Sequence, residues 1–242
     1  MAHPIPLRRR LTRQVKDTLK DLRGPLAYRQ TAYGQEAEDL LLMRMLDPKR
    51  VGFYVEVGSH HPIRFSNTYN FYRRGWRGLC IDPVPGLVRR FARWRPRDIA
   101  LELGIAESAG SLTFHLFNEP ALNTFSPELA AERDGRNNWA IVERRTVPVQ
   151  PLAAVLAQHL PADVQAIDFM SIDVEGMDLQ VLRSNDWTRY RPRIVVTECL
   201  DSRMSNWPTD PVVQFMAQQQ YFPVAKAIHS VFFQRDSDAL GG

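Results

Sequence analysis

Apolar runs alternate with amphipathic stretches along most of this chain. Short aliphatic runs at about 52–57, 77–82, 98–102, 167–173 and 193–198 predict buried strands, too short and too β-branched for helices. Between them, apolar residues at helical spacing predict helices over about 35–46, 86–94, 151–160 and 211–219. Ser66-Asn67 predicts the cap of another helix, which carries Tyr69, Phe71 and Tyr72 and ends at Arg73-Arg74-Gly75. A further strand is expected at about 111–117, and two last ones at about 221–226 and 230–234. The short link between those two predicts a hairpin, hence an antiparallel pair at one edge. Asn118 to Asn138 is polar and irregular in pattern, a natural lid or acceptor-binding loop, and Arg145 to Val149 leads into the 151–160 helix. Alternating strands and helices imply an α/β fold with helices on both faces of a mostly parallel sheet.

Where the strands end is the informative part. Tyr54-Val55-Glu56-Val57-Gly58-Ser59 and Asp168 to Gly176 are apolar runs that finish in carboxylates beside a glycine. A third run, Gly78-Leu79-Cys80-Ile81-Asp82, ends in an acid 26 positions after Glu56. Open α/β sheets bind ligands at such strand ends, and an acid after the second strand is placed to take ribose hydroxyls. A dinucleotide site needs G-x-G-x-x-G, because the backbone must approach a pyrophosphate closely. Here the turn reads Gly58-Ser59-His60-His61-Pro62, and no G-x-x-x-x-G-K-[ST] loop is present. A ligand with a ribose and without phosphates fits, and S-adenosylmethionine (SAM) answers that description.

Composition adds little except at one end. With 44% apolar and 24% charged residues in 242, an ordinary single α/β domain is expected. Cys80 and Cys199 lie in apolar runs, which predicts buried reduced thiols without zinc spacing. No apolar run approaches the roughly 18 residues of a membrane span, and no secretory h-region is evident, so a cytoplasmic protein is expected. The net charge of +4 conceals a basic arm: residues 1–23 hold seven Arg and Lys against Asp17 and Asp21, which leaves the rest at −1. Leu7, Leu11, Val15, Leu19 and Leu22 predict an amphipathic helix there, stopped by Gly24-Pro25. Two uses stand open for residues 7–23: peripheral contact with the inner face of an anionic membrane, or packing on this chain or a sister subunit in a homo-oligomer. The expected division is a basic helix over 1–25 and a catalytic domain over 26–242.

These motifs, in this order, resemble the FkbM family of SAM-dependent methyltransferases from about Tyr33 onward. The likeness is carried by Gly34-Gln35-Glu36-Ala37-Glu38-Asp39, by Val55-Glu56-Val57-Gly58-Ser59-His60-His61-Pro62, and by Asn67-Thr68. It continues through Gly75-Trp76-Arg77-Gly78 leading to Asp82-Pro83, Asp173-Val174-Glu175-Gly176, and Arg191-Pro192 followed by the strand ending in Glu198. Ala37 stands where the family has glycine, and Glu56 and Ser59 where it more often has Asp and Ala. The resemblance implies a Rossmann-like class I methyltransferase fold, with a mostly parallel seven-stranded sheet and an antiparallel edge strand. It also implies O-methylation of a sugar, glycolipid or polysaccharide precursor, with a secondary metabolite as the alternative acceptor.

In that frame Asp82 takes the ribose hydroxyls. Glu56 orders the turn and reaches the ligand's ammonium or ribose directly or through water, and Gly58 admits the methionine part. Ser59, His60 and Pro83 border them, and Gly104, Ile105 and Ala106 flank the adenine. Gln35, Asn67 and Thr68 join the cofactor set through the resemblance alone. An alcohol acceptor must lose a proton to a base or be polarised by a metal. Asp173, Glu175 and Glu198 are therefore the candidate catalytic group, with Asp173 and Glu198 as ligands should Mg²⁺ be used and Glu175 as a further ligand or the base. His60, His61, His115 and His229 titrate near neutrality but stand singly. The acidic, non-stacking Asp173 to Gly176 site argues against nucleic-acid amino-methylation, and the missing glycines argue against an oxidoreductase. A noncatalytic SAM-binding protein is disfavoured because the strand-end carboxylates are all present.

Overall fold

The computed structural model describes residues 15, 24–47, 50–199 and 209–236. Two units divide the chain, 1–32 and 33–242. In the first, Gly24–Tyr28 forms a 3-10 turn and Val15 is helical and exposed. The rest of the basic helix expected over 7–23 lies outside the described residues.

Among its described residues the second unit contains ten strands: β1 (Phe53–Val57), β2 (Arg77–Ile81), β3 (Ile99–Leu101), β4 (Gly104–Ile105), β5 (Gly110–Phe117), β6 (Ile141–Gln150), β7 (Phe169–Ile172), β8 (Ile194–Glu198), β9 (Tyr221–Lys226) and β10 (Ser230–Arg235). Seven α-helices accompany them among the described residues: α1 (Glu38–Met45), α2 (Tyr69–Tyr72), α3 (Leu87–Trp94), α4 (Pro127–Arg133), α5 (Leu152–His159), α6 (Asp178–Arg183) and α7 (Pro211–Gln218). Seven strands form one sheet in the order β3-β2-β1-β7-β8-β10-β9. All neighbours are parallel except the pairs made by β10, which runs against both β8 and β9. The expected antiparallel pair is thus at the edge, with the last strand in sequence inserted inside β9. Chain order reverses between β1 and β7, and ligands of open α/β sheets bind at such a switch point.

Alternation along the strands assigns each side chain to a face. Phe53, Val55 and Val57 join Leu79, Ile81, Met170 and Ile172 in one apolar layer, covered by Leu152, Val155 and Leu156 of α5 and by Val181 and Leu182 of α6. Tyr54, Cys80 and Phe169 belong to the other layer, with Leu42, Phe71, Trp76 and Phe91. Each such fully buried side chain contributes about 1.5–3 kcal/mol. Glu56 has the parity of Tyr54, and its register partners are Cys80 on β2 and Ser171 on β7. A row of polar atoms therefore crosses the middle of the second layer.

β5 and β6 pair over most of their length in a separate three-stranded sheet with β4. No strand was expected over the first half of β6. Val142, Glu143, Arg144, Arg145 and Thr146 are all exposed, so that half lacks the alternation that marks a strand, and the ladder with β5 holds it. The stretch 118–138 is also more ordered than its composition predicts. Pro120–Leu122 forms a 3-10 turn, and Ser126 Oγ accepts from Leu129 N to cap α4.

Candidate active site

A cleft opens at the carboxyl ends of β1, β2 and β7. Its walls bring together nine of the residues expected from sequence: Gln35, Gly58, His60, Asp82, Pro83, Gly104, Ile105, Asp173 and Glu175. Phe65, Val84, Phe114, Asn123, Phe125 and Met177 complete much of the lining.

Asp82 leaves β2 pointing into the cleft, with Oδ2 accepting from His60 N at 2.8 Å and Oδ1 from Val84 N at 2.8 Å. Burial pushes its carboxyl up from the ordinary range, and the two backbone donors pull it back. Each oxygen keeps acceptor capacity for a further donor. Gly58 sits at φ +85°, and a β-carbon there would lie 1.7 Å from the Asp173 carbonyl oxygen. The glycine is thus required by the approach of the β7 end, a reason nearer than the ligand contact expected of it. Gly104 is needed for a similar cause, since a β-carbon would meet the Phe125 ring at 2.6 Å.

Several expected cofactor residues are not among those that line the cleft. Glu56 is buried in the second layer, where Oε2 accepts from Thr68 Oγ1 at 2.8 Å and Oε1 from Ser66 Oγ at 3.4 Å. Arg95 Nη1 lies 3.7 Å from it. Strand parity pairs Glu56 with Tyr54, and Glu56 is not among the residues that line the cleft. Thr68 belongs to the same network, and Ser59 Oγ donates to Glu56 O. Asn67 Nδ2 donates to Ser171 Oγ at 3.1 Å. Ala106 stands behind the wall, its N–H bonded to Gln150 O. Of the expected Ser66-Asn67 cap, Ser66 supplies the bond: its Oγ accepts from Tyr69 N at 3.1 Å.

At the other end of the cleft, ligand atoms of Asp173, Glu175 and Glu198 all lie within 4.8 Å of one another. Glu175 holds a left-handed φ of 53°, fixed by Thr124 Oγ1 donating to its carbonyl at 2.7 Å. Arg133 Nη2 donates to Glu175 Oε2 at 2.5 Å. Asp178, buried at the start of α6, receives Val174 N and Gly176 N, both at 3.3 Å, and so shapes the turn. Glu198 is beside the cleft rather than on its wall, and its Oε2 has no hydrogen-bond partner among the described residues. Asp173 is exposed toward the cleft with protein crowding its other sides, and that crowding governs its titration. Burial raises Asp173 well above the carboxylate range, helped by Glu175, Asp178 and Glu38 and opposed by Arg133. Burial, then the charges of Asp173, Glu175 and Asp178, push Glu198 up to about 11. Asp178 rises to about 7, chiefly through burial, and burial also raises Glu175 against the pull of Arg133.

The histidines divide by contact. His60 lines the cleft and is lowered to about 4 by burial, Arg64 and His61. His61 Nδ1 accepts from Ile63 N and Arg64 N, both at 3.0 Å, which makes it a loop cap. His115 pairs with Thr124 across a β-bridge, and His229 with Glu36 at 2.5 Å.

Sequence reasoning missed Arg133 and Arg95. The first lies in the polar 118–138 stretch among other charges. The second is one of five arginines between 89 and 97, and nothing in that run marks which is buried.

No described helix is long and apolar enough to cross a membrane. No match is found among curated proteins. Among solved structures, the chain is similar to a methyltransferase FkbM from Methylobacillus flagellatus KT at 13% identity and a TM-score of 0.44. That likeness covers 76% of this chain and 43% of the other. It is also similar to the Burkholderia thailandensis 1,6-didemethyltoxoflavin-N1-methyltransferase, crystallised with 1,6-didemethyltoxoflavin and S-adenosylhomocysteine, at 12% identity and a TM-score of 0.37, over 98% of this chain and 94% of the other. The family model for the methyltransferase FkbM domain matches residues 56–223, well over half of the chain, and the protein belongs to that family.

Proposed function

We propose that the protein transfers a methyl group from SAM to a hydroxyl oxygen, that of a sugar, glycolipid or polysaccharide precursor. The observation that carries this reading is one cleft with a ribose-type acid, Asp82, at one end and Asp173 and Glu175 at the other. SAM suits the residues present: Asp82 keeps free acceptor capacity, Gly104 and Ile105 offer an apolar wall for a planar ring, and Gln35 and Gly58 border the space toward Asp173. Bound SAM supplies a methyl already activated on sulfur.

The chain's part is then alignment and proton handling. Asp82 fixes the ribose end, and its hold on His60 N keeps that wall in place. Asp173 is accessible from the cleft, and its raised pKa makes the ionised form a stronger base than an ordinary carboxylate, available once its own proton has left. Glu175 is already engaged by Arg133 and orients the turn. The oxygen-only donor set, with Glu198 Oε2 unpaired, also suits a hard divalent cation. Asp173 and Glu198 would hold Mg²⁺, and its chemistry there would be polarisation of the acceptor hydroxyl.

Calorimetric titration with SAM, S-adenosylhomocysteine and NAD tests the donor. Micromolar binding of the first two and none of NAD is expected, whereas NAD binding or no binding at all refutes it. Transfer of labelled methyl to glycans and glycolipids, mapped by mass spectrometry to an ether oxygen, tests the acceptor. Label found only on nitrogen, carboxyl or carbon overturns O-methylation.

A further inference from the structure

Among the described residues Arg95 is one of the largest side chains with no exposure at all, and nothing in the chemistry above uses it. A buried arginine is costly unless every donor is matched. Here all five N–H groups have partners. Nε donates to Asp98 Oδ2 at 2.6 Å, and Nη1 to Pro62 O at 3.2 Å and Ser66 Oγ at 3.1 Å. Nη2 donates to Tyr54 Oη at 2.9 Å and Thr68 Oγ1 at 2.8 Å. Those hydroxyls donate onward: Tyr54 to Asp98, Ser66 and Thr68 to Glu56. The guanidinium also lies 4.8 Å from the Phe91 ring centroid.

Three of the five partners, Pro62, Ser66 and Thr68, belong to one loop. That loop carries His60 at φ 39° and Phe65 at φ 55°, both left-handed without being glycine, and both on the cleft wall. Such backbone persists only where its surroundings over-determine it. Asp82 pins His60 N, and Arg95 Nη1 brackets Phe65 through Pro62 O and Ser66 Oγ.

We infer that Arg95 is a positioning residue for the cofactor site, holding the 60–68 loop in the strained form that puts His60 and Phe65 on the wall, and so setting the affinity for SAM. This rests on the SAM reading above and deepens it. Stability alone does not ask for a charge at this place, because a well-packed apolar residue of similar volume often serves a core as well. A rigid fork reaching a carbonyl and two hydroxyls of one loop does what an apolar residue does not.

The test is calorimetry with S-adenosylhomocysteine combined with amide hydrogen exchange on the full chain, for Arg95→Lys and Thr68→Val. Lysine keeps the charge without the fork. Valine removes the Thr68 hydroxyl, with little change of shape, and leaves Arg95 paired to Asp98. Each variant is expected to weaken binding about tenfold, the scale of one charge-assisted hydrogen bond. Exchange is expected to quicken in 60–68 while β1 and β7 stay protected. Wild-type affinity in a folded variant overturns the inference, as does weakened binding with exchange raised across the whole sheet. Should Arg95→Lys fail to fold, Thr68→Val decides. A wild-type protein that binds no S-adenosylhomocysteine refutes the SAM reading itself, while slow exchange in 60–68 of a folded variant refutes Arg95's hold on the loop.

Discussion

On the β1–β2 side of the cleft, one arginine and two carboxylates are buried together, and Arg95 meets every one of its donors with an acceptor. On the β7–β8 side, Asp173, Glu175 and Glu198 crowd together with Arg133, which is bonded to Glu175 alone among them. Burial pushes carboxyls upward on both sides. What differs is the compensation. A fully satisfied network rigidifies its surroundings, whereas a half-satisfied one keeps protons at neutral pH and gains from any cation that replaces them. The first side is thus built to hold a shape and the second to exchange charge with what binds.

The largest expected effect breaks the matched side. Asp82→Ala removes the acceptor for ribose hydroxyls and leaves His60 N and Val84 N without theirs. S-adenosylhomocysteine affinity should fall by about 100-fold, or 2–3 kcal/mol, in calorimetry. Unchanged affinity would remove Asp82 from the ribose role.

Glu198→Gln sharpens the other side. The Glu198 pKa of about 11 is raised above an unfolded value of about 4.3. The folded state therefore binds the extra proton, and stability falls as pH climbs from about 4.3 toward 11. Glutamine removes that loss, so the variant should melt about 3–6 °C higher than wild type at pH 8.5. The gap should close toward pH 5. Millimolar Mg²⁺ should raise the wild-type Tm more at pH 8.5 than at pH 5.5, and leave Glu198→Gln unmoved. A wild-type Tm indifferent to Mg²⁺ at both pH values removes the cation from the proposal.

Arg133→Gln carries the smallest expected effect. It releases the Glu175 carboxylate and loosens α4, whose segment contributes Phe125 and Asn123 to the wall. The half-buried pair is worth about 1 kcal/mol, so S-adenosylhomocysteine affinity should drop severalfold at most, with the Asp173 pKa rising once the opposing Arg133 charge is gone. Carbon-13 carboxyl NMR reads that rise, and a downward shift contradicts it.

Much of this architecture was legible in the chain. β1, β2, β7 and β8 announce themselves as short aliphatic runs because both sheet faces are covered, and their C-terminal acids identify the ligand end. β6 escaped notice because Glu143, Arg144 and Arg145 carry no burial pattern. Glu56 shows the limit more sharply. Position at a strand end suggested a ligand contact, but alternation placed it with Tyr54 and Cys80, and Arg95 took it from the other side. Both carboxylates, Asp82 and Glu56, look alike in sequence; one meets the cleft and the other an arginine 39 positions away.

The sequence by itself determined the strand-and-helix alternation, the single-glycine turn that excludes a dinucleotide, and the acids at the strand ends. Those are local properties, set by side-chain periodicity and by what a backbone turn tolerates. Tertiary structure alone decided that Gly58 is demanded by the Asp173 carbonyl, that Arg133 rather than a histidine answers Glu175, and that Arg95 is the one buried arginine of its run. Each of these depends on which distant segment arrives next to which, and charge compensation in a low-dielectric interior acts through space, with no trace in residue spacing.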